Sequence, residues 1–281
     1  MAKSKLASLL AFDRQIFAEE TGRIPPGSGP KTSSSRRKLD QLKIFSAAHS
    51  YVIGVDEVGR GCLAGPVVAG AVMLPVMEVR SQIAAKLSRL DDSKQIPQAI
   101  REELRSVICA SSHYSVAEAS PAEIDEINIL NASLLAMKRA VYDLLTRLPV
   151  GAHEVLVLVD GNRKIKEFDL QQKTVIQGDS HSASIAAASV VAKVHRDKLM
   201  CDLAAAFPQY LWHQNKGYGS KAHRQAIAIY GSTIWHRQSF RLLAPNSESE
   251  LDEHLQLDMD SQAVQSHFED DCILREELAP T

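Results

Sequence analysis

The chain has 281 residues, 45% of them hydrophobic, with 32 basic and 34 acidic side chains for a net charge of −2. That apolar fraction supports a packed core and excludes a wholly disordered chain, and the length allows one large domain or two small ones. No apolar run reaches the roughly 18–20 residues of a membrane span, and the N-terminus lacks the apolar stretch of a signal peptide, so a soluble, cytoplasmic protein with no membrane partner is expected.

The charge is unevenly placed. Residues 1–45 carry 9 Lys/Arg against 4 Asp/Glu, and residues 246–281 carry 1 Arg against 11 Asp/Glu, which leaves a mildly basic body between them. Leu6, Leu9, Leu10, Phe12, Ile16 and Phe17 recur at roughly helical spacing. Residues 24–38 are rich in Pro, Gly, Ser and base without periodicity, as in a flexible linker. A basic, partly flexible extension over 1–45, a catalytic domain over 46–245 and an acidic tail over 246–281 are therefore expected.

Within the body, Tyr51–Asp56 and Pro66–Leu74 are short apolar runs of strand character, and His113–Ala119 is a third. A helical pattern crosses Ile124–Leu148. Val155–Asp160 is apolar without alternation, like a strand covered on both faces. A shorter strand is expected over Lys173–Gln177, an Ala-rich helix over Ala183–Ala206, and another helix over Lys221–Ile229. Three strands followed by alternating helices and strands predict an α/β domain with a mixed five-stranded sheet flanked by helices, ending in a helical extension. There is no internal repeat. Cys62, Cys109, Cys201 and Cys272 form no Cys-x-x-Cys pair, consistent with free thiols in a reducing compartment.

Four carboxylates fall at strand ends: Asp56 and Glu57 at the first, Asp160 at the fourth, Asp179 after the fifth. Open α/β sheets form their sites at such ends. Gathered there, these groups must hold protons or cations, and hard oxygen donors select Mg2+ or Mn2+. Two such ions suit phosphoryl displacement. Capping and turn formation are the structural alternatives for any one of them.

Other motifs carry less. Gly59-Arg60-Gly61-Cys62-Leu63-Ala64 fits a dinucleotide pattern, but a strand follows where that pattern needs a helix, and Asp56-Glu57 would repel a pyrophosphate. Ser180, beside His181, lacks the elbow and oxyanion loop of a serine esterase. Residues 215–224 read equally as a solvated loop or as a nucleic-acid contact with Lys216, Lys221 and Arg224 on phosphates and Tyr218 under a sugar or base.

Taken together, four blocks resemble ribonuclease HII, the type 2 ribonuclease H family. They are Gly54-Val55-Asp56-Glu57-Val58-Gly59-Arg60-Gly61 with Ala64–Ala69; Asp92-Ser93-Lys94; Val159-Asp160-Gly161-Asn162; and Gly178-Asp179 through Ser184–Lys193, Arg196-Asp197, Pro208–Tyr210, Asn215–Gly219, His223 and His236–Phe240. The resemblance implies a ribonuclease H-like fold and two-metal hydrolysis 5′ of a ribonucleotide, in RNA–DNA hybrids and in duplex DNA with embedded ribonucleotides, by a monomer. It implies Asp56, Glu57, Asp160 and Asp179 as metal ligands. Gly59, Arg60, Gly61 and Tyr218 would read the sugar, and Ser93, Lys94, Ser184 and Lys193 would contact phosphates. The Gly-Arg-Gly block differs from the pattern of ribonuclease HIII. Cys62 replaces the usual Pro, His181 a common basic residue and Ser220 a common Thr. Another two-metal nuclease of this fold, a resolvase or exonuclease, is the alternative, and chelator sensitivity separates either from an esterase.

Overall fold

The computed structural model describes residues 5–22, 51–75, 81–90, 96–148 and 151–243. At its centre lies a five-stranded sheet of order β3-β2-β1-β4-β5, made of β1 (Tyr51–Val58), β2 (Val67–Met73), β3 (His113–Ala119), β4 (Val155–Asp160) and β5 (Gln171–Val175). β2 runs antiparallel to β1 and β3, whereas β1–β4 and β4–β5 are parallel, giving the expected mixed sheet. A parallel neighbour needs a crossover, and the helix α4 (Pro121–Leu145) supplies it between β3 and β4.

Both faces of the sheet are covered, so β2 is buried throughout and β4 at all but its last residue. On one face Leu134, Met137, Val141 and Leu144 of α4 meet Ile53, Val55, Val157 and Val159. The other face packs on α1 (Lys5–Thr21), α3 (Gln98–Ser111) and the long α6 (Ala183–Ala206), with a short α2 (Gln82–Lys86) at the side. α6 comes closest. A Cβ at Gly54 would lie 2.1 Å from the Ser184 carbonyl carbon, and one at Gly70 would lie 2.5 Å from the Ala188 oxygen. Glycine in the strands and alanine in the helix let the backbones touch. That contact seats α6 across β1 and β2, where the acidic residues end.

Several boundaries differ from expectation for local reasons. α4 begins at Pro121 because Ser120 and Glu123 form a reciprocal capping box, and it ends at Leu145. Inside it, Asn128 takes a φ of 65° and its side-chain oxygen accepts from the amides of Leu130 and Asn131, restarting the helix after a kink. β5 lies two residues before the expected Lys173–Gln177, since Gln177 turns left-handed and Gly178 opens a short helix, α5 (Gly178–His181). α3 has no expected counterpart, because only its stripe through Ile100, Leu104 and Ile108 meets the core.

The largest difference concerns the N-terminus. Residues 1–45 are expected to lie outside the domain, yet α1 places Leu6, Leu9, Leu10 and Phe17 in the core. Its Asp13 accepts hydrogen bonds from the Ser184 amide at 2.9 Å and hydroxyl at 2.8 Å. The linker over 24–38 and the acidic tail over 246–281 lie outside the described residues. After α6 comes the expected helical extension, with α7 (Trp212–Asn215) and α8 (Lys221–Tyr230) around Leu63, Met200, Tyr210, Trp212 and Ile227. No described helix is long and apolar enough to cross a membrane. Cys62, Cys109 and Cys201 are free thiols.

Candidate active site

The acidic edge is set by strand register. Val55 of β1 pairs with Val159 of β4, so Asp56 and Asp160 fall next to each other at the ends of two parallel strands. Asp56 is only 6% exposed. Burial, and repulsion from Glu57 and Asp160, push its carboxyl well above the usual range, against hydrogen bonds from Ser189 and from the Glu57 amide at 2.7 Å. Burial also raises Glu57, opposed by Arg60, whose guanidinium lies 3.2 Å away, and reinforced by Asp160. Asp160 accepts from the Gly178 amide at 2.7 Å, and buried Asp179 follows at once in α5. The chain turn at Gly178 thus joins the last two carboxylates.

Asp56, Glu57 and Asp160 repel one another through space, while Asp179 is brought to the same edge through Gly178. Among the described residues no three His, Cys, Asp or Glu side chains close on one point as a finished ion cage. The donor set is nonetheless all hard carboxylate oxygen, and the repulsion within it is the kind that a divalent cation relieves. These residues fit Mg2+ or Mn2+.

Beside this edge lies a cradle made of two loops. Residues 59–66 leave β1, and residues 216–218 leave α7. The Leu63 amide donates to the Gly217 carbonyl at 2.8 Å, and Cys62 pairs with Tyr218 in an antiparallel bridge. Gly59 has a φ of 92°, and a Cβ there would strike the Arg196 side chain at 2.2 Å. Gly61 is different. It is exposed, its φ is ordinary, and an added Cβ would meet only the Tyr218 ring at 4.0 Å. Tyr218 itself is 46% exposed. The amides of Arg60 and Gly61 donate to no described residue, so two N–H groups and an aromatic ring face outward together. The family resemblance places both glycines at the sugar; the structure gives Gly59 an inward, supporting place and leaves Gly61 at the surface.

The remaining expected contacts fall differently. Ser184, expected on a phosphate, is buried, and its hydroxyl donates to Asp13. Lys193 is paired with Asp197 one turn along α6. Ser93 and Lys94 lie outside the described residues. Three residues without an assigned role enter instead. Ser189 hydrogen-bonds Asp56, and buried Arg196 and Arg237 hold the loops. Ser189 lies on an Ala-rich helix within the Ser184–Lys193 block, but nothing in its spacing marks it as a partner of Asp56. The two arginines stand within the family-like blocks, but their spacing gives no hint that they meet.

Comparison with known proteins gives a consistent result. The family model for ribonuclease HII matches residues 53–243. Ribonuclease HII from Anaplasma marginale is 44% identical over 221 residues, covering 78% of this chain and 86% of that protein. The chain in the solved PCNA:RNase HII complex from Archaeoglobus fulgidus superposes with a TM-score of 0.53 at 25% identity, over 71% of this chain and 99% of that one. Bst-RNase HIII, solved in complex with Mn2+, superposes with a TM-score of 0.56 at 18% identity, over 81% of this chain and 78% of its own, and shares the fold. With its strand-end carboxylates, its glycine loop and a match running from within β1 through the helical extension, this chain belongs to the ribonuclease HII family of ribonuclease H enzymes.

Proposed function

We propose that this protein cleaves the phosphodiester on the 5′ side of a ribonucleotide, in RNA–DNA hybrids and at ribonucleotides embedded in duplex DNA, using two divalent cations. One observation carries the reading. The acidic edge and the outward-facing Gly61–Tyr218 pair are separated by only a few residues of one loop, and the Glu57–Arg60 ion pair joins them. Sugar recognition and hydrolysis would then act on adjacent groups of one strand.

In this reading Asp56, Glu57, Asp160 and Asp179 hold the cations, Mg2+ or Mn2+. The bound ions supply Lewis-acid charge for displacement at phosphorus. Ser189 fixes the Asp56 carboxylate, and the Gly178 amide fixes Asp160. The Arg60 and Gly61 amides meet the 2′-hydroxyl, the group that separates RNA from DNA. The Tyr218 ring packs on the neighbouring sugar. Exposed Arg60 adds positive charge near the phosphate.

The test is a cleavage map. Duplexes with one ribonucleotide, with several, and with none are incubated with Mg2+ or Mn2+, and again with EDTA. Cuts 5′ of the ribonucleotide, absent from the all-DNA duplex and abolished by EDTA, are expected. Equal cutting of the all-DNA duplex, or full activity in EDTA, would overturn the reading.

A further inference from the structure

Arg196 and Arg237 are both fully buried, at 0% exposure. Their guanidiniums donate seven hydrogen bonds, and every acceptor is a main-chain carbonyl. Arg196, from the middle of α6, donates to Pro66 at 3.1 Å, Ala64 at 3.0 Å and Lys216 at 2.8 Å. Arg237 donates to Gly59 at 2.7 Å, Arg60 at 2.8 Å and Gly65 at 3.1 and 2.9 Å. One arginine therefore ties both cradle loops together, and the other grips the two residues before Gly61. Among the described residues no ion pair joins either arginine to a carboxylate.

Burying a cation without a contacting carboxylate is costly, and it persists only where every donor nitrogen has an acceptor. Here carbonyl dipoles do that, and the guanidinium fork fixes their directions in a way a lysine cannot. Turning the carbonyls of Gly59, Arg60, Ala64, Gly65 and Pro66 inward leaves the Arg60 and Gly61 amides facing out. The cradle is thus a main-chain surface whose shape is set from beneath. A site that senses one hydroxyl with backbone groups needs that shape held to a fraction of an ångström, since a 1 Å misplacement can cost about a hundredfold in rate.

We propose that Arg196 and Arg237 are positioning residues for ribose selectivity, clamping the 59–66 and 216–218 loops into one rigid reader. This rests on the sugar-reading function above and deepens it. Neither arginine touches substrate. They act through the backbone of Gly59, Arg60 and Lys216.

The experiment compares wild type with Arg196→Lys and Arg237→Lys. Each variant is assayed for kcat and KM on a duplex with one ribonucleotide and for binding to the all-DNA duplex. A wild type that cuts the all-DNA duplex as fast as the ribonucleotide duplex overturns the function and this inference together. With a selective wild type, each variant is expected to lose about ten- to a hundredfold in kcat/KM on the ribonucleotide duplex, while all-DNA binding moves less than twofold. Folded variants that stay within twofold of wild type in kcat/KM overturn the inference alone. Arg237→Lys is then combined with Gly61→Ala. Two changes to one loop should not multiply, so the double variant should fall within about threefold of the worse single one. Full multiplication would mean that the arginine acts elsewhere. If the lysine variants fail to fold, hydrogen exchange on the wild type decides. Peptides covering 59–66 and 216–218 should open together, and independent opening overturns the clamp.

Discussion

The acidic edge and the glycine cradle are neighbours in the chain, with Glu57 and Gly59 two residues apart, but their parts are distributed in opposite ways. At the edge, side chains face the reaction and main-chain ladders hold them: the Val55–Val159 register sets Asp56 beside Asp160, and the Gly178 amide fixes the latter. In the cradle, main-chain groups face outward and side chains hold them, through Arg196 and Arg237. The difference separates two kinds of sensitivity. On the proposed reading the edge is vulnerable at the residues that do the chemistry, whereas the cradle is vulnerable not only at Gly61 and Tyr218 but also at residues that never meet the substrate.

The largest effects fall on the edge. Asp56→Asn, Glu57→Gln, Asp160→Asn and Asp179→Asn are each expected to lower turnover on the order of a hundredfold or more with the fold intact, since each removes charge that holds the cations. Burial and repulsion already raise Asp56 and Glu57. Asp56→Asn should therefore melt at or above the wild-type temperature when no divalent ion is present. Single-turnover cleavage and calorimetry, with and without Mg2+, check both halves. Near-normal cleavage by Asp56→Asn and Asp160→Asn would remove the edge from the chemistry.

The two glycines sharpen the comparison. Gly59→Ala forces an alanine into a φ of 92° and against Arg196, at a cost of about 1–3 kcal/mol, so it should lower the melting temperature and activity on every substrate. Gly61→Ala has room and should melt like wild type, yet lose about tenfold on the single-ribonucleotide duplex, where the new methyl meets the sugar. If both variants behave alike in melting and in cleavage, the division into a supporting and a reading glycine fails.

Tyr218 should give a smaller effect. Its ring stands beside Gly61 and its main chain is held by the Cys62 bridge and by the His223 ring, which lies 2.8 Å from its carbonyl. Tyr218→Ala should lower kcat/KM about three- to tenfold, and Tyr218→Phe, which keeps the ring, should lose less. Steady-state assays on the ribonucleotide duplex separate the two, and a phenylalanine defect as large as the alanine one would assign the role to the hydroxyl instead.

Much of the edge is legible in the sequence, because buried parallel strands announce themselves as apolar runs and the acids stand where the runs stop. Three strands preceding the alternating elements announce a mixed five-stranded sheet, though not its order. The cradle is far less legible. Hydrogen bonds to carbonyls leave no residue pattern, so Arg196 and Arg237, 41 positions apart, carry no signal that they converge. Ser184 misleads for a related reason. It lies in a family-like block, but its partner is Asp13, 171 positions earlier across the unpatterned stretch of 24–38. α1 itself has visible helical spacing, while its docking depends on a face of α6 that composition does not reveal.

Asp13 provides the last and smallest test on activity, and asks whether the support of the edge extends into α1. Its carboxyl accepts from the Ser184 amide and hydroxyl at the start of α6, the helix that carries Ser189 to Asp56. Burial outweighs the hydrogen bonds from Ser182 and Ser184 and raises it from 3.8 to about 6. The folded state therefore binds this proton more tightly than the unfolded chain. Its stabilising contribution is complete below about pH 4 and is lost as pH rises to about 6, by roughly 3 kcal/mol. Asp13→Asn keeps an acceptor for Ser184 and cannot ionise. The stability of the variant relative to wild type should therefore rise between pH 4 and pH 7, by up to about that amount, with cleavage at pH 8 changed less than threefold. Asp13→Ala leaves both Ser184 donors unpaired and should lie about 1–3 kcal/mol below Asp13→Asn at every pH, with the same pH dependence relative to wild type. Denaturant titrations of the three proteins at several pH values measure the differences directly. A constant gap between Asp13→Asn and wild type from pH 4 to pH 7 would show that the carboxyl's pKa is not raised on folding, so that its hydrogen bonds from α6 balance its burial.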